Sequence, residues 1–154
     1  MPDSLFQYAK DLDIIVSFCE MPKHVLGYYS RTFLPPVILL SNRLKTNRRL
    51  LRVILAEEIG HHVTGACISH PANSEIPPTL QIKNKHDHIA IWWATQHLIP
   101  ISSLIKAIES GLFFTHELAE YFDVTERFMG TSLKLYFEKG GNKLLKKVSD
   151  CQDG

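Results

Sequence analysis

Residues 46–65 read TNRRLLRVILAEEIGHHVTG and predict a long helix at the centre of the fold. Thr46 is suited to cap the start of this helix, and Gly65 is a natural stop after its last turn. Apolar side chains recur at helical spacing on one face: Leu50, Leu51, Ile54, Leu55, Ile59 and Val63. The helix divides the chain, because short β-prone runs precede it and helical patterns follow it.

The patterns on either side of this helix predict an α+β fold. A short helix capped by Ser4 and running through Leu12 precedes three apolar runs, which predict strands at residues 14–18, 25–31 and 36–40. A Pro-rich loop at 69–79 leads to a second long helix at 81–98. Short helices follow at 101–109, at 116–122 behind Thr115 as the cap, and at 126–137 behind Thr125, before a last amphipathic piece beyond Gly140-Gly141. We therefore predict a small N-terminal sheet, two long central helices and a helical C-terminal third.

Composition excludes several classes of protein. The chain has 154 residues, which is one domain or a domain with a small appendage, and 17 Lys+Arg against 16 Asp+Glu. This near-neutral balance argues against a protein that coats nucleic acid or a membrane surface. The three cysteines are scattered and show no CxxC spacing, which indicates a reducing compartment. No apolar run reaches the length of a membrane span and no secretory signal is visible, so we predict a cytoplasmic protein.

The segment LAEEIGHH at residues 55–62 contains the candidate catalytic and metal-binding residues of the first long helix. Glu57 and His61 stand four apart, so a helix stacks them on one face within reach of one metal ion. Glu58 lies about 100° around the helix, where a carboxylate can take a proton from a water activated by the ion. This is the geometry of HExxH, with Glu57 in the place of the first His, and a carboxylate is an accepted zinc ligand. The plain alternative is a solvated charged face, although a charged cluster on an otherwise apolar helix costs free energy unless it has a function.

Together with DHIAIWWATQHLIP at residues 87–100, this segment resembles the ImmA/IrrE family of small metallopeptidases. Glu58, Gly60 and His61 match the family's first helix motif. The second helix motif is matched by Asp87, Ala90, Trp93, Ala94, Leu98 and Pro100. The resemblance implies a metallopeptidase-like (zincin-like) domain over residues 1–100 and a helix-turn-helix-like module over 101–154 packed on it.

The same resemblance implies a set of site residues. Glu57, His61 and Asp87 would be the metal ligands, and Glu58 the general base. The sequence departs from the family pattern at Glu57, which replaces His, and at Asp87, which replaces Glu. The resulting oxygen-rich set points to one divalent metal, zinc first, with manganese, iron or loss of the metal as alternatives. His86 and His88 flank Asp87 and remain substitutes for it, whereas His62 points away from His61 and is expected at the surface or in a cap.

The family resemblance also implies a function. It predicts cleavage of a helix-turn-helix repressor encoded beside the protease on a phage or other mobile element. A metal-free module that binds the same repressor without cutting it is the alternative. Binding of DNA through the C-terminal helices is a weaker alternative, because the helix at 126–137 carries mixed charges rather than a basic stripe.

Overall fold

The computed structural model describes residues 2–66, 80–140 and 148, with the backbone alone for residues 2–3 and 80–86. The predicted loop at 69–79 and the last amphipathic piece beyond Gly140 lie outside this range, apart from Val148. The elements in chain order are α1 (Pro2–Asp11), β1 (Ile15–Cys19), β2 (Gly27–Ser30), β3 (Val37–Ser41), a 3-10 turn (Asn42–Thr46), α2 (Arg48–Thr64), α3 (Leu80–Leu98), α4 (Ile101–Glu109), α5 (Thr115–Tyr121) and α6 (Glu126–Glu138). The predicted α+β fold class is confirmed. The chain divides into two compact units, residues 1–94 and 95–154.

The first unit contains a three-stranded sheet with β3 in its centre. β1 pairs with β3 in parallel, and β2 pairs with it antiparallel, so that Ile38 lies opposite both Val16 and Tyr29. Ile38 and Leu40 of β3 are fully buried, as expected for side chains on one face of a central strand. β2 consequently lies at an edge of the sheet among the described strands.

Helix α2 begins one residue later than the sequence predicted. Asn47 is its cap and accepts a hydrogen bond from the backbone N–H of Leu50 at 3.1 Å, whereas Thr46 belongs to the preceding 3-10 turn. The helix ends as predicted at Gly65, whose φ of 67° lies in the left-handed region that favours glycine. Val63, predicted on the apolar face, is 42% exposed, because the buried face of α2 ends at Gly60.

Helix α3 packs closely against α2 at Gly60 of α2. A Cβ built on Gly60 would lie 2.7 Å from the carbonyl oxygen of Ala90, a distance that real Cβ atoms do not reach. Ala90 is itself fully buried. On the same helix, Trp93 stacks on Tyr8 of α1 with ring centroids 6.0 Å apart. Small residues therefore set the separation of the two helices that carry the predicted site.

The second unit is helical, and its α5 and α6 form a helix–turn–helix. Thr125 caps α6 as predicted and accepts a hydrogen bond from the N–H of Phe128 at 3.2 Å. The prediction that Thr115 caps α5 was wrong: Thr115 is the first helical residue and Phe114 is the cap. The Glu117 carboxylate, in the first turn, accepts hydrogen bonds from the backbone N–H groups of Phe113 and of the cap residue Phe114, which is the return half of a capping box.

Buried polar contacts tie this second unit together. The hydroxyls of Thr95 and Ser132 lie 2.9 Å apart, and the Tyr136 hydroxyl donates to the carbonyl of Ile99 at 2.6 Å. The first contact joins α3 to α6, and the second joins the residue after α3 to α6. In the part of the chain that the structure describes, no helix is both long and apolar enough to cross a membrane.

Candidate active site

Helices α2 and α3 bring two of the predicted ligands together. His61 is on the last turn of α2 and Asp87 is on α3, and His61 Nε2 lies 3.5 Å from Asp87 Oδ1. The side chain of His61 is 16% exposed and that of Asp87 is 39% exposed, so the pair lies at the edge of the protein interior and is open to solvent. The structure thus places Asp87, the third ligand implied by the family resemblance, opposite His61 of α2.

The His61 ring is oriented by the chain that follows α2. Its Nδ1 is hydrogen-bonded to the backbone carbonyl of Ala66, and a carbonyl only accepts, so we assign the proton to Nδ1. In the neutral ring, Nε2 then presents a lone pair toward Asp87 Oδ1. Two lone pairs that face each other need a proton or a cation between them. A backbone carbonyl on the other ring nitrogen is also the usual arrangement behind a metal-ligating histidine.

Glu58 lies in the seam between α2 and β2. A Cβ built on Gly27 would lie 2.6 Å from Glu58 Oε1 and 2.7 Å from Ile54 Cγ2, so only glycine lets the strand come this close. Part of the side chain remains accessible, but its carboxyl end is enclosed. Burial, which is the largest cause, and the negative charges of Glu57 and Asp87 together raise the pKa of Glu58 from 4.5 to about 8. The negative charges of Glu57 and Asp87 thus act on Glu58, and a cation bound nearby would offset them.

The oxygen and nitrogen donors of Glu57, His61 and Asp87 suit a divalent cation in their chemistry. Their side chains, however, do not surround one common point. Among the described residues, no group of three or more His, Cys, Asp or Glu side chains is close enough to hold a metal ion as it stands. Glu57 is one helical turn before His61 and acts electrostatically on Glu58. Of the two flanking histidines, His88 is exposed, and the side chain of His86 lies outside the described residues.

The contact between Tyr29 of β2 and His62 of α2 was not predicted from the sequence. The Tyr29 hydroxyl lies 2.8 Å from His62 Nδ1, and the two rings meet edge to face at 5.5 Å. Burial, and to a lesser extent the charge of Arg31, lowers the pKa of His62. His62 is therefore half-buried in the seam rather than a surface or capping residue. The signal that was available is the spacing of four between Glu58 and His62, which stacks them on one face.

A protein-family model matches most of the chain. A peptidase-family model described as the IrrE N-terminal-like domain matches residues 9–134, a range that includes both site helices. The chain belongs to this family. The resemblance to ImmA/IrrE proteins is thereby confirmed. No curated protein matches the chain.

In this ImmA/IrrE protein, the buried Glu58 makes the stability of the metal-free form depend on pH. Below pH 4.5 the carboxyl is protonated in the folded and the unfolded chain alike, so it contributes nothing. Between pH 4.5 and about 8 the folded chain keeps this proton while the unfolded chain releases it, so stability falls as the pH rises, and the loss levels off above pH 8. We expect Glu58→Gln to raise the free energy of unfolding of chelator-treated protein by about 3 kcal/mol at pH 7.

Urea unfolding followed by circular dichroism at pH 4 and pH 7 measures this difference. Glu120→Gln, at an exposed position on α5, is the control and should change neither value. An equal effect of Glu58→Gln at both pH values would contradict the assignment, because a neutral carboxyl and an amide differ little at pH 4.

Proposed function

We propose that the chain is a metal-dependent endopeptidase that cuts a helix-turn-helix repressor at a specific peptide bond. The observation that carries the proposal is the pairing of His61 Nε2 with Asp87 Oδ1 beside the buried carboxyl of Glu58. Membership of a peptidase family supports it. The repressor as substrate rests on what the family resemblance implies.

Three residues of the chain would act as metal ligands in this proposal. Glu57, His61 and Asp87 would hold the ion, with zinc as the first choice and manganese or iron as alternatives for an oxygen-rich set. When bound, such an ion supplies Lewis-acid chemistry, which activates a water and polarises a carbonyl. Gly27 lets β2 approach Glu58, and Gly60 lets α3, which carries Asp87, approach α2.

Glu58 is the general base in this proposal. Its enclosed carboxyl has a pKa near neutrality without a cation, which is the range in which a base exchanges protons most effectively. A cation held nearby favours the ionised form. Glu58 is then able to accept the proton of the attacking water and to pass it to the leaving amine.

Elemental analysis of the full chain, purified without chelator, tests the metal centre. We expect about one divalent ion per chain in the wild type and a loss of the ion in His61→Ala and in Asp87→Ala, because each change removes one of three protein ligands. The matched control is His88→Ala, next to Asp87 but exposed, which should keep its ion. A wild-type chain without metal would overturn the metal-dependent mechanism.

Cleavage is tested by incubating the purified chain with helix-turn-helix regulators encoded beside its gene. The expected result is one new N-terminus in one regulator, identified by mass spectrometry and absent with the Glu58→Gln variant. Cleavage at many unrelated bonds, or none in any regulator, would contradict the proposal.

A repressor-binding module without catalysis is the second candidate. The observation in its favour is that the described residues do not gather three ligands, combined with the carboxylate at Glu57 where HExxH has histidine. This function predicts a stable complex with an intact regulator and no bound ion, so the two experiments above separate the candidates.

A further inference from the structure

Two contacts in the seam between β2 and α2 follow each other at matching spacings along the strand and the helix. Gly27 lies against Glu58, and two residues along the strand Tyr29 is bonded to His62, four residues along the helix. Two residues of a strand and four of a helix both advance by about 6 Å, so the strand and the helix stay in register. His62 is therefore the next side chain along the seam after the candidate base.

The hydrogen bond to Tyr29 fixes which nitrogen of His62 carries the proton. A phenol hydroxyl is a good donor and an imidazole nitrogen without a proton is a good acceptor, so we assign the bond as Tyr29 O–H donating to Nδ1. The proton of the neutral ring then lies on Nε2. Among the described residues, Tyr29 is the hydrogen-bond partner of His62, and that bond leaves the Nε2–H available as a donor in a half-buried position.

The strand beside this donor is an outer strand of the described sheet. β2 is an edge strand among the described elements, and an exposed strand edge is the usual place where an extended peptide is recognised through its main chain. A peptide bound there presents carbonyl oxygens at regular intervals next to Glu58 and His62.

We propose that His62 is a substrate-contacting residue whose Nε2–H donates to a main-chain carbonyl oxygen of a peptide bound beside β2. Tyr29 is its positioning residue, because it holds the ring in the tautomer that donates. The role in cleavage rests on the proposed function, whereas the contact with the peptide does not, since a module that only binds would use it as well.

The tautomer is tested first, by long-range ¹H–¹⁵N NMR of the intact chain. The expected spectrum of His62 has a proton on Nε2 and none on Nδ1. Tyr29→Phe, which removes only the hydroxyl, should abolish this single tautomer. Tyr28→Phe, at the exposed neighbouring position, should leave it unchanged. A proton on His62 Nδ1 in the wild type overturns the proposal.

The contact is tested with acetyl-trialanine methylamide, a peptide with no side-chain chemistry, added to the Glu58→Gln variant, which cannot cut it. We expect the His62 Nε2 resonance to shift with increasing peptide until it saturates. A resonance that does not move up to the solubility limit of the peptide overturns the contact.

Kinetics on a regulator that the wild type cuts provide the catalytic test. Glutamine places its amide nitrogen near the position of Nε2, whereas asparagine places it near Nδ1. His62→Asn should therefore lower kcat about 100-fold with little change in KM, as for the loss of one oxyanion donor, while His62→Gln should recover most of the rate. Equal rates for the two variants would overturn the donor role. If the wild type cuts nothing, the proposed function fails, and the two NMR measurements still decide the contact.

Discussion

Replacing Glu58 with glutamine is expected to lower the rate of peptide cleavage by about 10²–10⁴-fold, which is the usual contribution of a general base. The amide has nearly the same shape as the carboxylate and fits the same seam against Gly27, but it cannot accept a proton. Because Glu58 is not one of the proposed ligands, the variant should keep its ion. Cleavage is followed by mass spectrometry and the ion by elemental analysis on the same preparation.

The neighbouring glutamate is the matched comparison for this result. Glu57→Gln removes a proposed ligand and should reduce the ion content and the rate together. Glu58→Gln should instead reduce the cleavage rate and leave the ion content unchanged. Loss of the ion in that variant would mean that Glu58 is a ligand rather than the base. A cleavage rate within tenfold of the wild type would rule Glu58 out as the base.

Local patterns in the sequence were enough to predict most of the fold. The helical spacing of the apolar residues in α2 and the stop at Gly65 are properties of one segment, and the structure confirms the helix and its end. The error at the start of α2 arises because two suitable cap residues adjoin there, Thr46 and Asn47. Only the path of the preceding turn decides which of them meets the first free N–H group.

The residues of the candidate site also differ in whether local spacing predicts them. Glu57, Glu58 and His61 follow from spacing within one helix, which needs no knowledge of the tertiary structure. Asp87 came only from the family resemblance, because 26 residues separate it from His61 and spacing says nothing about how two helices meet. The structure places Asp87 Oδ1 3.5 Å from His61 Nε2.

The contacts that could not be predicted are those between a strand and a helix. Tyr29 and His62 are 33 residues apart, and their meeting depends on the register of β2 along α2. The same register encloses the Glu58 carboxyl against Gly27, and this burial is the largest cause of its raised pKa. A sequence pattern reports neither, because both are consequences of packing between segments.

Gly60→Val is expected to destabilise the protein by about 3 kcal/mol, the upper part of the usual range for an overpacked position. A Cβ at Gly60 would lie 2.7 Å from the carbonyl oxygen of Ala90 and 3.3 Å from its Cα. These atoms belong to the backbone of α3, so no side-chain rotation relieves the clash and the two helices have to move apart. Asp87 stands one turn before Ala90, so this movement also separates it from His61, and the affinity for the metal ion should fall with the stability.

The matched control is Gly130→Val on α6, where a Cβ meets no atom within 4 Å. Valine is slightly better than glycine in a helix interior, so this variant should change the free energy of unfolding by no more than about 0.5 kcal/mol. Urea unfolding of both variants, without chelator and with it, measures the two effects. If Gly60→Val were as stable as Gly130→Val and kept its ion, the close approach of α2 and α3 would not be what holds Asp87 opposite His61.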